Sequence, residues 1–462
     1  MHLLPEIIES APEIQEIRRN IHAHPELRFE ENRTADLVAE ALSSWGISVF
    51  RGMGKTGVVG RLDGELGPGK MIGLRADMDA LPLQEHNNFA HTSRNPGKMH
   101  ACGHDGHTAM LLGAAQYLSN HRDFKGSVIF IFQPAEEGGA GAHEMIKDGL
   151  FEQFPCDAVF GLHNWPGLAE GDFGVTPGPM MASSNTFEIT VTGRGGHAAL
   201  PHNSADPVLA GAQVVLALQS IITRNKRPVD AAVLSVTQFH AGETSNVIPD
   251  SAFIGGTVRT FTLEVLDLIE QRLREVAHNV AGAFDCQAEI TFSRNYPPLI
   301  NHANEVEFAS QVMSELVGKQ RVNTSIDPTM GAEDFAFMLL EKPGCYVFLG
   351  NGDGDHRAAE IRAATFRQRA RAAFGEDVGI SEVPGREASV SVPDVPTVTA
   401  ETLSAHVAAL SDWVLREAVA HADDRQRLVS LVRTRARAQA GSSKRAAAHD
   451  QRGGPDRQRG GR

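Results

Sequence analysis

Three apolar runs in this chain end in the same way. KMIGLRADMDALP carries Asp77 and Asp79 at the end of a hydrophobic stretch, SVIFIFQPAEEGG carries Glu136 and Glu137, and CDAVFGLHNWP carries His163. Short runs of this kind read as strands. Helical patterns precede and interrupt them: residues 6–24, with Ile14, Ile17 and Ile21 at helical spacing and Pro25 as the stop, and Asn32–Leu42 come before, and GHTAMLLGAAQYLSNH lies between the first run and the second. Strands alternating with helices predict an α/β fold, a catalytic α/β domain with a mostly buried sheet. In such sheets, functional groups gather beyond the carboxyl ends of the strands.

The stretch His100–His107 reads HACGHDGH and opens the third helix. Thiolate and imidazole are both good zinc ligands, and imidazole also serves cobalt, nickel and manganese. Cys102 and His104 are two residues apart, so a turning backbone aims both at one point. The competing reading is a polar helix start with surface histidines. The adjacent carboxylates of Glu136 and Glu137 cannot both be buried cheaply as anions without a cation or a proton. A division of labour, one on metal and one handling protons, explains the pair; an acidic turn at a helix start is the alternative. His163 taken alone is an ordinary core or loop histidine, and gains meaning from the edge it shares. Asp77 and Asp79 point to one side of an extended segment and suit the orientation of ligating imidazoles. Their convergence on one strand edge predicts a metal site.

The pattern changes near residue 182. TFEITVTGRGG alternates with period two, and helix, two strands, helix and strand follow, ending at CQAEITFS. This β-α-β-β-α-β order fills residues 182–293 as an inserted α+β unit. The expected organisation is 1–181 as the first part of the catalytic domain, 182–293 as the insertion, 294–355 as the catalytic domain resumed, and 356–462 as a region apart. In the insertion, GRGGHAALPH offers His197, TSNVIPD offers Asn246, and GGTVRT offers Arg259 as a cation for a substrate carboxylate. TMGAEDFAFM offers Glu333 and Asp334 just before a helix, where capping is the simple explanation.

Composition excludes several classes. The net charge of −14 disfavours binding of nucleic acid or an acidic membrane by the bulk of the protein. Four cysteines, Cys102, Cys156, Cys286 and Cys345, are too few and too scattered for a disulfide scaffold. No uninterrupted apolar run approaches the roughly 20 residues that span a bilayer, and the first residues lack the pattern of a signal peptide. The expected location is the cytoplasm. No phosphate-binding glycine loop is present.

Taken in order, LRADMDALP, HACGHDGHTAMLLGAA, QPAEEGGAGA, GLHNWP, GRGGHAALPH, TSNVIPD, GTVRTF and MGAEDFAFM resemble the metal-dependent amidohydrolase branch of the M20 peptidases. That branch holds hippurate hydrolases, N-acyl-amino-acid amidohydrolases and auxin-conjugate hydrolases, and the likeness covers residues 10–355. The resemblance implies a catalytic α/β domain with an inserted lid or dimerisation domain, and two divalent ions (manganese, zinc, cobalt or nickel). By the same likeness Cys102 is the bridging ligand, His104, Glu137 and His163 are further ligands, and Asp79 is the carboxylate beside the metals. Glu136 is the general base. His197 is the lid histidine that polarises the substrate carbonyl, in dimeric relatives often from the other subunit. The implied substrate is a small N-acyl amino acid, the implied assembly a homodimer.

The family draws its last metal ligand from an LHNPxYDFND-like motif soon after FLGNGD. Here HRAAEIRAATFRQRARAAFGED follows instead, and residues 356–462 hold 17 arginines, one lysine and no tyrosine. A reading-frame shift near residue 360 would produce that junction; an unusual extension is the alternative. The GSSKRAAAHDQRGGPDRQRGGR end is polar and glycine-rich, the composition of a disordered tail. Two other functions stay open at this point: a catalytically impaired homologue that only binds, and an exopeptidase or dipeptidase of the same superfamily.

Overall fold

The computed structural model describes residues 5–352. The expectations for residues 356–462, and the unassigned His356, lie outside the described residues.

The catalytic layer is an eight-stranded mixed sheet. Its middle is the parallel set Ser127–Gln133, Met71–Asp77, Ala158–Trp165 and Gly344–Gly350, in that spatial order. One side is finished by Gly57–Asp63 and Ser48–Met53, both antiparallel, and the other by the two-residue strands Phe173–Gly174 and Val322–Asn323. The central strands are buried along almost their whole length, as their near-continuous apolar runs require. The helices Pro5–Ala23, Asn32–Ser44, His104–Asn120 and Ala303–Val317 contribute to the core on one face, with Val38, Leu111, Leu112 and Val312 fully or nearly fully buried. A second core, with Met145, Phe154, Phe335 and Tyr346, covers the other face.

Parallel register brings the strand ends level. Asp77 pairs with Gln133, and His163 pairs with Phe348. Each strand therefore delivers its last side chains to the same rim.

The second layer is a four-stranded antiparallel sheet in the order Ala232–Ala241, Ser251–Thr260, Ser184–Thr192, Gln287–Tyr296. Ser184–Thr192 alternates buried and exposed residues, the signature of a sheet with one face in water. The helices Pro207–Ser220 and Leu263–Gly282 cover its other face around Ile189, Val191, Val214, Ile254 and Leu273. Asp206 caps the first helix by accepting from the N–H groups of Val208 and Leu209, and Thr262 caps the second. This core is separate from the two catalytic ones. Among the described residues, Pro207–Asn225 is the one helix long and apolar enough to cross a membrane by length and composition, and 33% of it is buried. Leu209 and Leu216 of that helix face outward, 50% and 67% exposed.

Tyr296, on the last strand of the insertion, ties the layers. Its hydroxyl oxygen accepts the Ala140 N–H at 3.3 Å, and the hydroxyl donates to the carbonyl of Glu136.

Candidate metal centre

The helix His104–Asn120 begins after Gly103, whose φ of +96° is left-handed. A Cβ at that position would stand 2.2 Å from Asn164 Oδ1, so the turn and the close approach both require glycine. The turn brings Cys102 and His104 to one point. Cys102 Sγ lies 3.4 Å from His163 Nε2. Donor atoms of Cys102, His104 and His163 all fall within 4.8 Å of one another, and so do those of His104, Glu136 and Glu137.

The carboxylates arrive on a strained turn. Ala135 and Ala140 flank Glu136–Gly139 at φ of +56° and +53°, a conformation that costs an L-residue energy unless its surroundings impose it. Buried acids impose it. Glu31 accepts Ala135 N–H at 2.9 Å, and Asp79 accepts the N–H groups of Glu136 and Glu137 at 3.0 and 2.9 Å. Asp79 also meets His104 Nδ1 at 3.2 Å. That contact leaves His104 Nε2 buried without a hydrogen-bond partner, 3.6 Å from Asp77 Oδ2. His163 is set likewise, its Nδ1 donating to the Asn164 carbonyl at 2.6 Å while Nε2 faces Cys102.

Electrostatics fit a cation at this point. Burial, reinforced by Glu137, pushes the Cys102 thiol up to about 11, so only a neighbouring cation makes it a thiolate near neutrality. Burial, helped by His107, pulls His163 down to about 3, which keeps its lone pair free for a metal. Burial, then Glu333 and Glu137, raises Glu136 well above the usual carboxylate range, and burial raises Glu137 too. An orphaned imidazole nitrogen, a thiol, a neutral imidazole and two crowded carboxylates form a donor set for two divalent ions.

Behind the donors lies a buried charge network. Arg75 donates to Asp77 at 2.7 Å, Gln133 at 2.8 Å, Glu333 at 2.9 Å and Asp334 at 3.0 Å. Asp77 also accepts from His107 Nδ1 at 2.6 Å, and the N–H of Asn164 reaches His107 Nε2 at 3.1 Å. Burial opposes ionisation of Asp77, but His104, Arg75 and His107 together hold it well below the usual carboxylate range. His107 and His100 thus part company with His104. His107 belongs to this network, and His100 is buried with neither ring nitrogen bonded. Sequence reasoning missed Arg75 and Asn164 as parts of the site, and placed His107 on the helix face of His104 without its bond to Asp77. Glu333 accepts the Phe335 N–H at 3.0 Å ahead of the helix Ala336–Glu341, which has no side-chain cap; both it and Asp334 hold Arg75, and their carboxylates come within 4.8 Å of Glu136.

The other residues singled out by sequence belong to the insertion. His197 is exposed on the short strand Gly196–His197, paired with Val247, and the Asn246 carbonyl accepts from Ala198 N–H at 3.0 Å. Arg259 is partly buried near the other end of the Ser251–Thr260 strand, opposite Val233. At about 3.3 Å per residue, Arg259 lies roughly 25 Å along that strand from Ser251. Asn246 and Arg259, grouped by sequence as grips on one carboxylate, are therefore not brought together within one chain.

Comparison with known proteins agrees with this geometry. The profile of "Peptidase family M20/M25/M40" matches residues 73–370. A "Hippurate hydrolase" of Campylobacter jejuni is 45% identical over 351 residues, 76% of this chain and 91% of that protein. An "N-acyl-L-amino acid amidohydrolase" of Geobacillus stearothermophilus is 46% identical over 287 residues, 62% of this chain and 77% of that one. Among solved structures, a putative aminohydrolase from methicillin-resistant Staphylococcus aureus superposes with a TM-score of 0.72 at 31% identity, covering 78% of this chain and 96% of that one. The Bacillus subtilis YXEP protein, described as a dinuclear metal binding peptidase from the M20 family, gives 0.69 at 32% identity, over 88% and 99%. With donors for two divalent ions gathered at the strand ends, the chain belongs to the M20/M25/M40 peptidase family, as a metal-dependent hydrolase of amide-bonded substrates.

Proposed function

We propose that the chain hydrolyses the amide bond of N-acyl amino acids, hippurate-like substrates among them. The observation that carries this reading is the meeting of Cys102, His104 and His163 with the Glu136–Glu137 pair, in a chain whose relatives include a hippurate hydrolase and an N-acyl-L-amino acid amidohydrolase.

Cys102, His104, Glu137 and His163 would hold the ions, and bound divalent ions supply a Lewis acid and a water of lowered pKa. The remaining work falls to side chains. Glu136 takes the proton of the attacking water and returns it to the leaving amine nitrogen. Its buried position beside Glu333 favours such an exchange, because a raised pKa makes the carboxylate a better base. Asp79 holds both glutamates in place through their backbone N–H groups. His197 stabilises the developing oxyanion, with Arg259 and Asn246 on the substrate carboxylate.

His197 and Asn246 lie at the end of the insertion remote from Arg259, so this reading includes a homodimer in which a second copy brings them to the site. The outward-facing Leu209 and Leu216 give such a pair an apolar contact. We place the protein in the cytoplasm, in keeping with four free cysteines among the described residues.

The test is release of free amino acid from a panel of N-acyl amino acids by protein loaded with Mn2+, Zn2+, Co2+ or Ni2+. Activity should vanish with a chelator and return with metal. Stoichiometric metal without turnover on the whole panel would overturn the reading in favour of a binding protein. A preference for free-amino dipeptides would favour an exopeptidase.

A further inference from the structure

We infer that the cavity at the C-terminal end of the first helix, Pro5–Ala23, binds a phosphate dianion, free or as a small monoester. The cavity measures about 540 Å3, and Arg18, Arg19, Arg94, His22, His24 and His91 line it. None of them belongs to the metal centre. Glu16 is the one acid on its wall, and it is exposed.

Its cations fall into two sets. The buried two are compensated: Arg18 donates to Asp105 at 3.0 Å, and His22 lies between Asp105 and Glu85. The outer two are not. Arg19 Nε is buried without a hydrogen-bond partner, and neither Arg19 nor Arg94 forms an ion pair with a described residue. The helix end does not absorb them. Its carbonyls at Asn20, Ile21 and Ala23 accept from His24 Nδ1, the His24 N–H and the Arg94 N–H, at 2.8, 3.0 and 2.8 Å. Positive charge crowds the remaining space: burial, then His22, Arg18 and Arg19, pulls His91 below its ordinary value, and its ring stands 5.4 Å from that of His22.

A guanidinium nitrogen buried without a partner is costly and calls for an acceptor. Two uncompensated guanidiniums match a dianion, whereas a monocarboxylate leaves one over. The planar fork of arginine suits phosphate oxygens, and a phosphate monoester carries nearly two charges at neutral pH. The space exceeds that of the phosphate alone and is typical of small-molecule sites. Phe89 and His91, stacked at 4.1 Å, give a flat wall for the rest of an ester.

The experiment is calorimetric titration of the metal-loaded full chain with inorganic phosphate and with phenyl phosphate. The double variant Arg19→Gln/Arg94→Gln should weaken binding by about 10-fold or more, with metal content and circular dichroism unchanged. Cys102→Ser, which disturbs the metal centre, should leave the affinity as it is; this separates the cavity from phosphate held on the metals. A lead of phenyl phosphate over inorganic phosphate makes an ester the occupant, and equal affinity makes it the free ion; either upholds the site. Failure of both anions to bind, or affinity unmoved in the arginine variant, overturns it. Should the double variant not fold, Arg94→Gln alone, at an exposed position, decides in the same way.

Discussion

The carboxylate of Asp79 accepts the backbone N–H of Glu136 at 3.0 Å, and its second oxygen takes the N–H of Glu137 at 2.9 Å. One side chain thus fixes the turn that presents both glutamates, and it orients His104 as well. Asp79→Ala should weaken metal binding by about 10- to 100-fold, read by competition with a chromogenic chelator. Unchanged affinity would show that the turn holds its shape without Asp79.

Glu136→Gln keeps the size of the side chain and removes its basicity. Turnover should fall by at least about 100-fold while metal content, measured by elemental analysis, stays the same. A variant that retains activity with its metals in place would remove Glu136 from the base role.

His197→Ala should lower kcat by about 100-fold with fold and metal content preserved. Mixing it with Glu136→Gln distinguishes where the histidine acts. If His197 serves the other subunit, mixed dimers regain activity, because one of their two sites has both groups. No recovery after verified subunit exchange would place His197 in its own chain's site, or outside catalysis.

Arg75 has a fully buried side chain and compensates Asp77, Glu333 and Asp334. Arg75→Met leaves those acids together without their cation. Loss of about 3–5 kcal/mol is expected for breaking a buried pair in this way, seen as a lower urea midpoint. A midpoint close to that of the parent would mean the acids take up protons at little cost.

His22 bridges Asp105 at 3.0 Å and Glu85 at 3.1 Å. Burial disfavours its charge, but the two carboxylates prevail and raise it from 6.5 to about 9. A folded-state value above the unfolded one means the stabilisation is complete below about pH 6.5 and disappears as pH rises through 9. The difference corresponds to about 3 kcal/mol. Between pH 7 and 10 the parent protein should therefore lose more stability than His22→Gln; parallel curves would refute the charged state.

Much of this centre is legible in the order of residues alone. Apolar runs that stop at Asp77, Gln133 and Trp165 announce strand ends, and ligand-type residues at those ends or just beyond them converge because parallel register levels the ends. Arg75 is hidden for the converse reason. An arginine inside GLRAD looks like one outward residue of a strand, and only tertiary packing gathers its acids from residues 77, 333 and 334. The pairs Phe173–Gly174 and Val322–Asn323 are too short to carry any periodicity, and Ser48–Met53 shows no regular alternation of burial. Asn246 and Arg259 look equivalent in sequence, since distance along a strand says nothing about which end faces the centre.

The strand Gly344–Gly350 completes the sheet beside Ala158–Trp165, yet about 180 residues separate them in sequence. During synthesis, the ribosome must deliver the entire insertion before that edge finds its neighbour. Until then the newly made chain carries an open, hydrophobic strand edge ready to join another molecule. Solubility of the growing polypeptide thus depends on how quickly the insertion folds out of the way, and truncation before Gly344 should give aggregates instead of a smaller working protein.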